Sequence, residues 1–153
     1  QKNANDELEA LINIDKPLIY PLKPLNEIQI SDNENVIWSK IASSKNKITG
    51  PFNWPIKEIN KDSSYKISMR PSGSGFGSNV VINLKIDNKK PFLKTSEIEN
   101  KLGNSKRAWI KFVDKNLENN RNTSLTLLLS DNAPDSKVLE KAKKEIIKNV
   151  KCE

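Results

Sequence analysis

The chain has 153 residues, enough for one domain whose core needs neither disulfides nor metals. It carries 26 basic against 19 acidic residues, a net charge of +7, and only 35% hydrophobic residues, so a thin core and abundant loops are expected. The absence of histidine excludes Ser-His-Asp and Cys-His nucleophiles, histidine bases and the common zinc sites, and a single cysteine, Cys152, excludes an intramolecular disulfide.

Taken in chain order, residues 1–16 read as a polar leader in which Glu7 to Ile12 forms one or two helical turns at most. Residues 17–90 read as β. Pro17-Leu18-Ile19-Tyr20-Pro21-Leu22 is an apolar run punctuated by prolines, which suits an edge strand. Ile28 and Ile30 alternate with Glu27 and Gln29, and Asp32-Asn33-Glu34-Asn35 marks a turn. A strand over 36–41 then places Val36, Trp38 and Lys40 on one face and Ile37, Ser39 and Ile41 on the other. A further strand is expected at 45–49, closed by Gly50-Pro51. From Ser64 to Arg70, Tyr65, Ile67 and Met69 alternate with Lys66, Ser68 and Arg70. The glycine-rich stretch 71–78 reads as a flexible loop, and Val80, Ile82, Leu84 and Ile86 as the inward face of the strand that follows.

Residues 91–153 change period and read as a helical C-terminal region that packs on or follows the β part. Ser96 and Glu99 have capping-box spacing, which assigns Ser96 to the cap and turns Glu99 back toward it. Trp109, Phe112, Val113 and Leu117 share one face of a helix over 105–118, although Ala108, Ile110 and Phe112 also alternate as in a strand. Residues 123–129 fit a buried strand or a short buried helix equally well. Pro134 announces a last helix with Val138, Leu139, Ala142, Ile146, Ile147 and Val150 on its apolar stripe.

Trp38 in mid-strand, and the run from Ile59 through Asn60-Lys61-Asp62 to Tyr65-Lys66-Ile67-Ser68-Met69, resemble the turn and tyrosine strand of fibronectin type III and related immunoglobulin-like domains. The loop 72–78 and the strand 79–86 fall where that family has a flexible loop and a closing strand. The arrangement is also similar to β-sandwich domains of cyanobacterial envelope proteins that continue into a helical region. The resemblance covers residues 17–87. It implies an α+β chain built as a small antiparallel β-sandwich followed by C-terminal helices, with Trp38 and Tyr65 in the core and a role in binding or spacing.

Chemistry along the chain is sparse. Gly73-Ser74-Gly75-Phe76-Gly77 offers backbone N–H groups, but a strand follows it where a phosphate loop requires a helix. As a mobile loop it presents Phe76, with Ser74 and Asn79 beside it, as contact residues. Phe52 and Trp54 would stack on a sugar or a base if exposed, or close one end of the core if buried. The acidic pairs Asp32/Glu34 and Glu97/Glu99 lie in a turn and a helix start, whereas a glycosidase needs carboxylates that converge from different segments.

The expectation is therefore a non-enzymatic, extracytoplasmic binding or assembly module. It would work in a periplasm or as a secreted protein, without cofactor or metal, with a protein or an envelope polymer as partner. The alternatives are a lysine-rich binder of nucleic acid or anionic glycan and, ranked last, a small carboxylate-dependent hydrolase. Basic charge carried by lysine, with arginine only at 70, 107 and 121, suits loose attraction to polyanions and not base-specific readout, so nucleic acid ranks below the other partners.

Overall fold

A computed structural model describes residues 7–75 and 78–151. Five strands come first: β1 (Glu7–Ile12), β2 (Leu25–Asp32), β3 (Asn35–Ile41), β4 (Tyr65–Pro71) and β5 (Val80–Ile86). Helices α1 (Thr95–Leu102), α2 (Lys106–Asn116), α3 (Arg121–Leu128) and α4 (Lys137–Lys151) follow, so the chain is α+β. The strands form a single sheet in the order β1-β5-β4-β2-β3, antiparallel throughout except for the parallel β1–β5 pair.

Side-chain alternation builds this sheet. Trp38, Ile30, Ile67, Ile82 and Leu8 lie opposite one another across all five strands, and Ile28 and Met69 form the next row. This inner face holds the fully buried Ile28 and Ile30, each worth about 1.5–3 kcal/mol relative to exposure. The other face is polar, with Glu27 opposite Arg70, Gln29 opposite Ser68 and Ser31 opposite Lys66.

Several expectations change at this level. Residues 7–12 are not a helical leader. Leu8, Ala10 and Ile12 alternate in register with Ile82, Leu84 and Ile86, so the segment completes the sheet beside β5. A sandwich would need a second sheet against the inner face. Among the described residues that layer is irregular instead, supplied by Ile19, Ile48, Phe52, Trp54, Ile56 and Ile59. The proline-bounded run at 17–22 contributes only the bridge Ile19–Phe52, and the strand expected at 45–49 only the bridge Leu25–Ile48. In β3 the register slips beside Ile30/Ser31, so Trp38 faces Ile30 while Val36 faces Ser31 on the polar side. The turn joining β2 to β3 has two residues, and both Asn33 (φ 47°) and Glu34 (φ 72°) adopt the left-handed backbone that matches strand twist.

The helices have a core of their own. Trp109, Val113, Leu125, Leu127, Leu128, Leu139 and Ile146 are buried together, with Phe112 and Leu117 packed against them. Ser105 caps α2 by accepting from the Ala108 N–H at 3.2 Å. The ambiguous stretch at 123–129 is helical: α3 sits in the middle of this layer, and Thr123 to Leu128 are all buried. On α4, Leu139 and Ile146 point inward, whereas Val138 is 55% exposed because it lies about 100° round the helix from Leu139. Val150, also placed on that stripe, has a side chain outside the described residues.

Candidate functional site

The two layers meet where β1 ends and α1 begins. Asp15, only 2% exposed, is the central group of this seam. Its backbone N–H donates to the Leu93 carbonyl at 3.0 Å, and its carbonyl accepts from Ile59 N–H at 2.9 Å. Its Oδ1 accepts from both the Thr95 N–H (2.9 Å) and the Thr95 hydroxyl (2.6 Å). Helix α1 thus begins at Thr95, and a buried carboxylate 80 residues away satisfies a first-turn N–H and complements the helix dipole.

That contact overturns the expected capping box. Lys94, not Ser96, is the cap residue of α1, and no side chain of the helix caps it locally. Glu99 is therefore free to turn elsewhere: Oε1 accepts from the Ser130 hydroxyl at 2.5 Å and Oε2 from the Asn132 amide at 2.8 Å.

These groups line a half-open cavity of about 210 Å³, bounded by Lys16, Trp54, Thr95, Glu99, Thr126 and the loop Ser130–Asn132, with Asn53 at its side. Its walls come from both layers. Asn53 ties the sheet cover to the Leu129 carbonyl at 3.0 Å, and the Thr126 hydroxyl donates to the Asn122 carbonyl at 2.9 Å. Glu99 and Asp131, from different segments, share this space. Lys16 makes no ion pair among the described residues.

The expected contact residues do not converge. Trp54 is buried: its indole N–H donates to the Lys57 carbonyl at 2.8 Å, and its ring stands edge-on to Tyr65, with centroids 6.0 Å apart. It is a core residue that also walls the cavity. Phe52 is half-buried against Trp38 and faces no cavity wall of the seam. Ser74 and Asn79, both half-buried, belong to the connection between β4 and β5. The strand register puts that connection at the opposite end of the sheet from Asp15. Phe76 lies outside the described residues. Of the acidic pairs, Asp32 and Glu34 stay at the β2–β3 turn, and Glu97 is exposed, 3.9 Å from Lys94.

Sequence reasoning missed Asp15, Thr95, Thr126 and the loop 130–132. Asp15 did carry a signal, since one acid interrupts the apolar run Ile12, Ile14, Pro17, Leu18, Ile19. Nothing in the sequence brings 15, 99, 126 and 131 together; that requires the fold.

Other concavities are plainer. An apolar cleft of about 160 Å³ lies over Ile67, Met69, Ile82 and Leu84, where the irregular cover is incomplete. On α4, Lys137, Lys141, Lys144 and Lys148 are exposed at helical spacing, interrupted by the exposed Glu140 and Glu145. Among the described residues no group of three or more His, Cys, Asp or Glu is placed to hold a metal, and no helix is long and apolar enough to cross a membrane. No protein-family model matches the chain, and no curated protein or solved structure matches it.

Proposed function

We propose that this chain is a binding module that takes a small polar ligand in the seam cavity. The observation that carries this reading is the state of Glu99. Both carboxylate oxygens are already held by Ser130 and Asn132, yet a carboxylate has about four lone-pair directions, so acceptor capacity remains. A charge fixed from two sides is preorganised for recognition. The setting agrees, because the cavity combines a few convergent polar groups with one aromatic wall. Placement outside the cytoplasm, in a periplasm or as a secreted protein, belongs to the same proposal and rests on the sequence alone.

The test is a two-dimensional amide NMR titration with a library of small sugars, amines, carboxylates and amino acids. Shifts should gather at Thr95, Thr126 and 130–132. Shifts confined to the loop 72–79 or to β3, or none at all, would remove the seam as the site.

One observation favours a second reading. Glu99 and Asp131 line the same cavity from different segments, which a carboxylate-dependent hydrolase requires. That reading predicts turnover of a bound glycoside or ester that disappears in both Glu99→Gln and Asp131→Asn. Binding without turnover leaves the module reading in place.

A further inference from the structure

The ligand class follows from where the cavity's protons point. Three hydroxyls line it, at Thr95, Thr126 and Ser130. Each has a short bond to a group that only accepts: Thr95 to the Asp15 carboxylate, Thr126 to the Asn122 carbonyl and Ser130 to the Glu99 carboxylate. A hydroxyl has one proton. All three protons are therefore committed to the protein, and these oxygens meet a ligand as acceptors. The carboxylates of Glu99 and Asp131 add acceptors of their own.

Donors toward the cavity are few. Lys16 lies on the lining with its ammonium on a flexible stem, and Asn132 and Asn53 each have one amide hydrogen beyond those given to Glu99 and to the Leu129 carbonyl. The site is thus rich in acceptors around a minority of donors, and both signs of charge sit on its lining. A bare ammonium ligand would satisfy the acceptors but stand against Lys16. A carboxylate ligand would satisfy Lys16 but stand against Glu99 and Asp131. A hydroxyl does both, donating to the acceptors and accepting from Lys16.

Size agrees with a single ring. About 210 Å³ corresponds to about seven waters at roughly 30 Å³ each, comparable to one sugar ring with its hydroxyls. Trp54 supplies an apolar wall against which C–H groups of such a ring can lie. Asp15 Oδ1 accepts from both the Thr95 N–H and the Thr95 hydroxyl, which turns that hydroxyl proton away from the cavity.

Resting on the seam-cavity reading, we infer that the ligand is a neutral, polyhydroxylated ring: one uncharged sugar residue, free or at the end of a glycan. The experiment compares three probes of one shape in the same NMR titration of the whole chain: glucose and galactose as neutral hexoses, glucosamine as the ammonium, and glucuronate as the carboxylate. A neutral hexose should move the amides of Thr95, Thr126 and 130–132 and bind at least fivefold tighter than either charged analogue. Glu99→Gln should weaken it at least tenfold. Because that change can also loosen the 130–132 loop, Lys16→Gln provides an independent arm; Lys16 makes no ion pair among the described residues, and at least a threefold loss is expected with thermal stability unchanged.

If glucosamine or glucuronate binds tighter at those same amides, the inference fails and the seam site stands. If no probe and no library compound moves them, the site fails and the inference fails with it. Hexose binding that ignores both substitutions also overturns it.

Discussion

In the sheet layer Ile28 and Ile30 are sealed from solvent, while Met69, Ile82 and Leu84 on the same face remain half-exposed. In the helical layer every residue from Thr123 to Leu128 is buried, including two threonines and a serine. The difference comes from what each layer must cover. A sheet presents a broad plane, and the irregular segment laid over it closes the β2–β4 centre but leaves a cleft toward β5 and β1. A short helix surrounded by neighbours has no such plane. Its cost is polar: Ser124 must donate to the Val113 carbonyl at 2.9 Å, and the Thr123 hydroxyl finds no partner among the described residues. Buried polar atoms without a partner among the described residues occur in both layers, Thr123 Oγ1 in the helices and Asp32 Oδ1 and Asn79 Oδ1 in the β part, so dryness is what separates the two.

The sharpest way to break this contrast is to empty the dry layer. Trp109 has no exposed surface, and its indole N–H donates to the Gly103 carbonyl at 2.8 Å. Trp109→Ala should cost about 3–5 kcal/mol, read as a fall in the urea midpoint. Ile82→Ala, on the open side of the sheet, should cost about 1–2 kcal/mol, since the side chain is only partly removed from water. Equal losses would show that the layers are packed alike.

Next in size is the link between them. Asp15→Ala removes an acceptor from two buried donors on Thr95, which should cost about 2–3 kcal/mol. Amide hydrogen exchange adds a reading that depends on the seam. In the parent chain, β2 and α3 should open with similar free energies. In the variant the start of α1 should exchange early, and the layers should separate. If α1 stays as protected as before, the Asp15 carboxylate does not hold its first turn.

Much of the sheet was legible because it depends on period two. The inward rows at Ile28/Ile30, Tyr65/Ile67/Met69 and Ile82/Leu84 all follow from alternation. The face of Val36 did not, since one slipped residue in β3 turns it over and alternation carries no mark of a bulge. Strand β1 was hidden by shortness, as six residues with two glutamates fit a helical turn as well as an edge. At the site the failure was of a different kind. Ser96 and Glu99 satisfied a local rule, but Asp15 reached the helix start first through tertiary contact, and Glu99 was released to Ser130 and Asn132. A capping box shows what a helix can do by itself; it does not register a better acceptor arriving from elsewhere.

The smallest expected change is a gain, and it sharpens the account of the sheet. Glu34 holds φ 72° in the two-residue turn, a conformation that suits glycine and asparagine and crowds a longer side chain. Asn33 beside it already has the residue type the turn prefers. Glu34→Gly removes the Cβ strain but gives the unfolded chain more freedom, so the net gain should be only about 0.5–1 kcal/mol. It should appear as a higher urea midpoint with an unchanged slope, because no surface is buried or exposed by the change. The turn sits beyond the slipped residue of β3, so the register that places Trp38 over Ile30 depends on its geometry. If the substitution destabilises the chain, the left-handed pair is not at 33–34, and the two-residue turn that sets the β2–β3 register is wrong with it.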